Sequence, residues 1–159
     1  WQPGLFNNPT VFFDLDCVIH NPIDQLVYRS SHDKPNFLRT HWFSDEMAKI
    51  VHNCNVNSSI MVIHQNNYEE LWHEYKSNME KIFKSFYGID GWVFRRHSDL
   101  VNFLPPKLAY SLKYGSMYPD DSEQDVMRDS NHVVCILDNV QDKETVLKKM
   151  WGYDVPSSS

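Results

Sequence analysis

The sequence predicts an α/β fold, a single domain whose mixed, mainly parallel sheet is flanked by helices. Three observations carry that prediction. Short apolar runs at residues 11–13, 60–63 and 133–137 have the length of buried strands, and each gives way to a polar residue: Asp14, His64 and Asp138. A long amphipathic stretch separates the second run from the third. A chain of 159 residues, 42% hydrophobic and 23% charged, suits one soluble core of ordinary size.

The first strand, Val11–Phe13, runs straight into Asp14-Leu15-Asp16. The second is Ile60–Ile63, written IMVI. The helix that follows is expected over residues 67–88, because Tyr68, Leu71, Trp72, Tyr75, Met79, Ile82, Phe83 and Phe86 recur on one face. Asn67 with Glu70 three residues later has the pattern of an N-cap and its partner. Lys81 and Lys84 suit the negative end of the helix dipole, and Gly88 is a natural stop. That apolar stripe is packing rather than a cofactor site. The polar, acidic segment 114–131 is expected to be a mobile loop. The third strand, Val133–Leu137, precedes a second helix over Lys143–Trp151. The domain is expected to span residues 1–155, with 156–159 (PSSS) a disordered tail.

Composition narrows the function classes. A net charge of −6 argues against broad nucleic-acid binding, which needs a basic face. Cys17, Cys54 and Cys135 are odd in number and form no CxxC pair, which fits a reducing compartment, the cytoplasm. No apolar run has the length of a membrane span, and no signal peptide is visible. None of the eight histidines has metal-site spacing, so none is assigned as a ligand.

Two like charges at the end of a buried strand need a reason. Mn2+ or Mg2+ prefers hard oxygen ligands, and carboxylates at i and i+2 on extended chain point the same way, so Asp14 and Asp16 could reach one ion. Such an ion could hold a diphosphate and neutralise the charge that grows as it leaves. In an open α/β sheet ligands collect beyond the carboxyl ends of strands, where this pair lies.

The stretch LFNNPTVFFDLDCVIHNPIDQL resembles the DxD region of GT-A-type glycosyltransferases, in particular small phage and bacterial ones. The likeness continues in order through NFLRTHWF, NVNSSIMVI, GIDGWVFRR, LPPKLAYSLKYG and VVCILDNVQDK, and so covers residues 5–151. The resemblance implies a GT-A-like, partly Rossmann-like domain that moves a hexosyl group from a nucleotide-diphosphate sugar to a glycan or other acceptor, in a bacterial or virus-infected cell. It implies that Asp14, Asp16 and Asp138 bind Mn2+ or Mg2+. Asn57, Ser58 and Ser59 would line the sugar site. Asp90 would face sugar or acceptor, serving as base if configuration inverts. Lys113 would offer charge to the leaving diphosphate.

Two departures accompany the likeness. Asp138 stands where the family's last motif has histidine, and Asn139 and Gln141 replace its glycine and proline. The family's earlier nucleotide-binding portion does not precede the DxD strand, so the domain is expected to be incomplete at its N-terminus.

Plainer readings stand beside each assignment. Asp14–Asp16 could be a capped turn, and so could Asp138-Asn139 and Asp90-Gly91. Asn57–Ser59 could be a turn entering a strand, Lys113 a solvated lysine, and Trp92 core or cleft wall. A rival function is a phosphohydrolase of the haloacid-dehalogenase type, with Asp14 as nucleophile, Asp16 as acid, and Asp138 and Asp142 on Mg2+. That enzyme needs a serine or threonine at the carboxyl end of the second strand, where this chain has His64. A second rival is a non-catalytic relative kept for binding or structure.

Overall fold

Alternation of side chains across a strand decides which core each residue enters. In the strand β1 (Thr10–Phe13), Val11 and Phe13 pack into one cluster and Phe12 into another. The strands β3 (Asn36–Arg39) and β4 (Val56–Ile63) split the same way: Leu38, Ile60 and Val62 join the first cluster, Phe37 and Met61 the second. The computed structural model describes residues 8–40, 54–65, 67–86, 88–112 and 132–137, with 142, 144, 145 and 148.

The first sheet has the order β1-β4-β3-β5, where β5 is Asn102–Phe103. The second has the order β2-β7-β6, formed by β2 (Cys17–Ile19), β6 (Ala109–Ser111) and β7 (Val134–Ile136). Its strands also alternate: Cys17, Ala109, Val134 and Ile136 face the first cluster, while Val18, Tyr110 and Cys135 form a third. The first cluster therefore lies between the sheets. Leu26, fully buried on the short helix α1 (Asp24–Tyr28), fills part of it.

The mixed α/β class stands, but the sheets are not mainly parallel. β4 runs antiparallel to both β1 and β3, and β2 runs antiparallel to β7; only β3–β5 and β6–β7 are parallel among the described strands. The physical reason is that β4 is buried on both faces at Ile60–Ile63. A continuous apolar run looks the same whichever way its neighbours point.

On the far face of the first sheet lie α2 (Glu69–Phe86) and α3 (Ile89–Arg96). Leu71 and Ile82 of α2 and Trp92 and Val93 of α3 are buried in the second cluster. The expected stripe is packing, although Phe83 and Met79 remain about half exposed. Tyr68, Leu71, Trp72, Tyr75 and Phe83 line an apolar cleft of about 410 Å³ together with Trp92. The capping pattern at Asn67 is not formed. α2 starts at Glu69, Asn67 Oδ1 accepts no hydrogen bond among the described residues, and its Nδ2 donates to His32 O instead. Gly88, at φ 134°, does separate the two helices. Gly91 is needed for another reason, since a Cβ there would lie 2.5 Å from Phe86 O.

The segment 114–131, residues 138–141 and the tail 156–159 lie outside the described residues, as does most of the helix expected over Lys143–Trp151. Among the described residues no helix is long and apolar enough to cross a membrane.

Candidate functional site

The chain leaves β1 and turns at once into the other sheet. Asp14 N–H donates to Ser59 O at 2.8 Å, extending the β1–β4 ladder by one bond. Cys17 N–H then donates to Asp14 O at 3.2 Å, closing a four-residue turn. Asp14-Leu15-Asp16 is thus a turn and not extended strand, which corrects the geometry expected for the pair. Asp14 is exposed and Asp16 half-buried. Asp14 Oδ1 accepts from Leu15 N–H at 3.0 Å, a local bond that orients the carboxylate, and Leu15 itself is fully exposed at the tip.

The turn is anchored on its other side as well. Leu137 N–H donates to Asp16 O at 2.9 Å. The carboxyl end of β7 therefore reaches the acidic turn at the residue before Asp138. Asp138 and Lys113 both lie outside the described residues.

Asn57, Ser58 and Ser59 are inside β4 and not in a turn before it. Their polarity follows from a break in the ladder. Phe37 pairs with Met61 but Leu38 with Asn57, so residues 58–60 are skipped by β3. The freed groups are satisfied elsewhere. Ser58 N–H donates to Asp90 Oδ1 at 3.0 Å, and Ser59 N–H to Asn57 Oδ1 at 2.8 Å. On the β1 side, Ser59 O keeps its ladder bond from Asp14 N–H and also accepts from the Cys17 thiol. Asp90 sits in the first turn of α3, where a carboxylate suits the positive end of the helix dipole.

The structure thus gathers Asp14, Asp16, Asn57, Ser58, Ser59 and Asp90 around one stretch of β4. No sequence spacing announces the Ser58–Asp90 contact, which spans 32 residues. Nor does it announce the role of Cys17. Burial first, and the neighbouring Asp16 second, push its thiol up to about 12, so it is a protonated donor at neutral pH.

Asp14 and Asp16 are hard oxygen donors suited to Mn2+ or Mg2+. Among the described residues no group of three or more His, Cys, Asp or Glu gathers to hold an ion. The bond from Leu137 ends the described part of this strand beside the acidic turn. Asp142 plays a different part. It is exposed, and its Oδ1 accepts Thr145 N–H at 3.0 Å, in the manner of a helix cap.

The chain matches no family model, no curated protein and no solved structure.

Proposed function

We propose that this chain carries the metal and sugar site of a GT-A-like, cytoplasmic glycosyltransferase that moves a hexosyl group from a nucleotide-diphosphate sugar to a glycan or other acceptor. One observation carries the reading. The turn that holds Asp14 and Asp16 is hydrogen-bonded to Ser59, while the Asp90 carboxylate is hydrogen-bonded to Ser58, the very next residue. Two acidic groups with separable roles flank a two-residue polar stretch of strand.

Bound Mn2+ or Mg2+ would supply positive charge to the departing diphosphate. Asp14 and Asp16 would hold the ion, with Asp138 as third ligand. Asn57, Ser58 and Ser59 line the ground between, where hydroxyls and backbone meet the sugar. Asp90, whose Oδ1 accepts the Ser58 N–H, would be the group that accepts a proton or hydrogen bond from a sugar or acceptor hydroxyl. Lys113 is the proposed cation for the leaving group.

The hydrolase reading is disfavoured by strand direction. Because β4 runs antiparallel to β1, Asp14 meets the amino-terminal half of β4, and the carboxyl end carries His64. The test is Mn2+ binding by electron paramagnetic resonance, then calorimetry with uridine-diphosphate sugars in Mn2+. Wild type should bind the ion, and Asp16→Asn should lose it while keeping its circular dichroism. A folded Asp16→Asn chain that binds Mn2+ as tightly as wild type would sink the assignment, whereas a phosphoaspartate at Asp14 trapped with beryllium fluoride would transfer it to the hydrolase.

A further inference from the structure

At the opposite end of β4 from the acidic turn, three polar side chains close over the strand. Ser30, at the exit of α1, and His64, the first residue after β4, are both buried, and Ser30 Oγ lies 2.6 Å from His64 Nε2. The Ser30 hydroxyl also donates to Val27 O at 2.7 Å. Its oxygen is therefore the acceptor for His64, which places the proton of the neutral imidazole on Nε2 and leaves Nδ1 bare. The ring of His32 stacks on that of His64, with centroids 4.0 Å apart and planes within 19°. His32 is exposed.

The turn that carries His32 is otherwise held by backbone and amide bonds. Asn36, fully buried, accepts Ser31 N–H at 2.8 Å and donates to Ser31 O at 2.7 Å. Asn67 N–H donates to His64 O at 3.2 Å and Asn67 Nδ2 to His32 O at 3.3 Å.

We infer that the Ser30–His64–His32 stack is a proton-operated clasp, which fastens the turn between α1 and β3 onto the end of β4 and releases it in acid. A proton taken up at Nδ1 makes His64 a buried cation, and among the described residues no carboxylate is paired with it. The charged and titratable groups on the surrounding elements include Asp24 and Tyr28 on α1, Arg29 after it, His32, Asp33 and Lys34 on the turn, and Tyr68, Glu69 and Glu70 at the start of α2. Asp33 accepts from Ser31 and Asn102, and Lys34 donates to Asp99 O. Of all these groups His32 is the one that bears on His64. Burial first, and His32 second, hold the His64 pKa below its ordinary value. The two rings lie face to face at 4.0 Å, a separation at which like charges repel appreciably even near water. His32 is exposed, so its ring can swing outward into solvent, and the turn then loses its lid.

The reporter is the Ser31 amide, whose N–H is given to Asn36 Oδ1. Its protection factor, measured by NMR hydrogen exchange on the full chain and so corrected for intrinsic rate, should fall severalfold between pH 7 and pH 5. His64→Gln, which keeps an N–H donor for Ser30 but cannot titrate, should lose that fall. His32→Phe, flat but uncharged, should reduce it. Equal protection of Ser31 at both pH values, or a wild-type fall retained in His64→Gln, overturns the clasp. So does a His64 imidazole that titrates in wild type at or above the value of an unstructured histidine peptide, a measurement that needs no variant.

Discussion

Asp90 has two separable duties, one in the fold and one in the proposed chemistry, and two substitutions distinguish them. Its Oδ1 takes the Ser58 N–H that the β3–β4 ladder leaves over, at 3.0 Å. A hydrogen bond to a charged group contributes about 1.5–3 kcal/mol, and a carboxylate in the first turn of a helix about 0.3–1 kcal/mol more. Both partners are half-buried, so the lower halves of those ranges apply. Asp90→Ala should then cost about 2 kcal/mol, because the Ser58 N–H loses its acceptor. Asp90→Asn keeps an oxygen there and gives up the charge, for about 1 kcal/mol. Urea unfolding followed by circular dichroism reads the difference as a lower midpoint for Ala than for Asn, at unchanged slope. In sugar transfer the two should look alike, since neither retains a base. Equal midpoints would refute the claim that Asp90 positions this part of β4, and full transfer by Asp90→Asn would remove the residue from the chemistry.

Three further expectations follow from the packing. Asn36→Ala leaves Ser31 N–H and the carbonyls of Ser31 and Val62 without their buried partner, and should destabilise by about 3 kcal/mol in the same unfolding assay. Gly91→Ala gains about 1 kcal/mol of helix propensity but drives a methyl to 2.5 Å from Phe86 O, backbone that cannot swing aside; a net loss of about 1–2 kcal/mol is expected, and a stabilised variant would contradict it. The pH dependence has a definite sign. Burial first lowers the pKa of both His64 and His20 from 6.5, with His32 and His132 as the respective second causes. The unfolded chain therefore takes up these protons before the folded one, so stability is fully present above about pH 6.5 and falls as pH drops below it. Urea midpoints at pH 7.5 and 5 should differ in that direction, and His64→Gln should flatten part of the slope.

What the sequence told, and what it withheld, follows from the range of the interactions involved. Apolar runs are local, and those at 11–13, 60–63 and 133–137 mark β1, the second half of β4 and β7. The 3.6-residue period located α2, and Gly88 marked its end. Strand direction is not local, and β4, apolar on both faces, carried no sign of its antiparallel neighbours. The polar start of β4 read equally well as a turn, since only the pairing with β3 reveals that Asn57–Ser59 stay in strand while leaving the ladder. Asn67 had the letters of a cap, yet the nearby His32 carbonyl captured its amide. Asp14 and Asp16 drew notice as like charges beside an apolar run, though the turn that carries them did not. Their junction with Ser58 and Asp90, and the stacking of His64 on His32, depend on contacts across 30 or more residues and left no trace in spacing.

The skipped residues of β4 have one more consequence. Every amino acid except proline brings the same main-chain N–H and C=O, so the features that tie Ser58 to Asp90 and Ser59 to Asp14 are indifferent to the side chains riding there. At Ser58 and Ser59 the ties run through main chain and survive a change of side chain, whereas Asn57 and Asp90 hold them through side-chain oxygens. Proline at position 58 would be intolerable, whereas alanine would pass almost unnoticed by the fold.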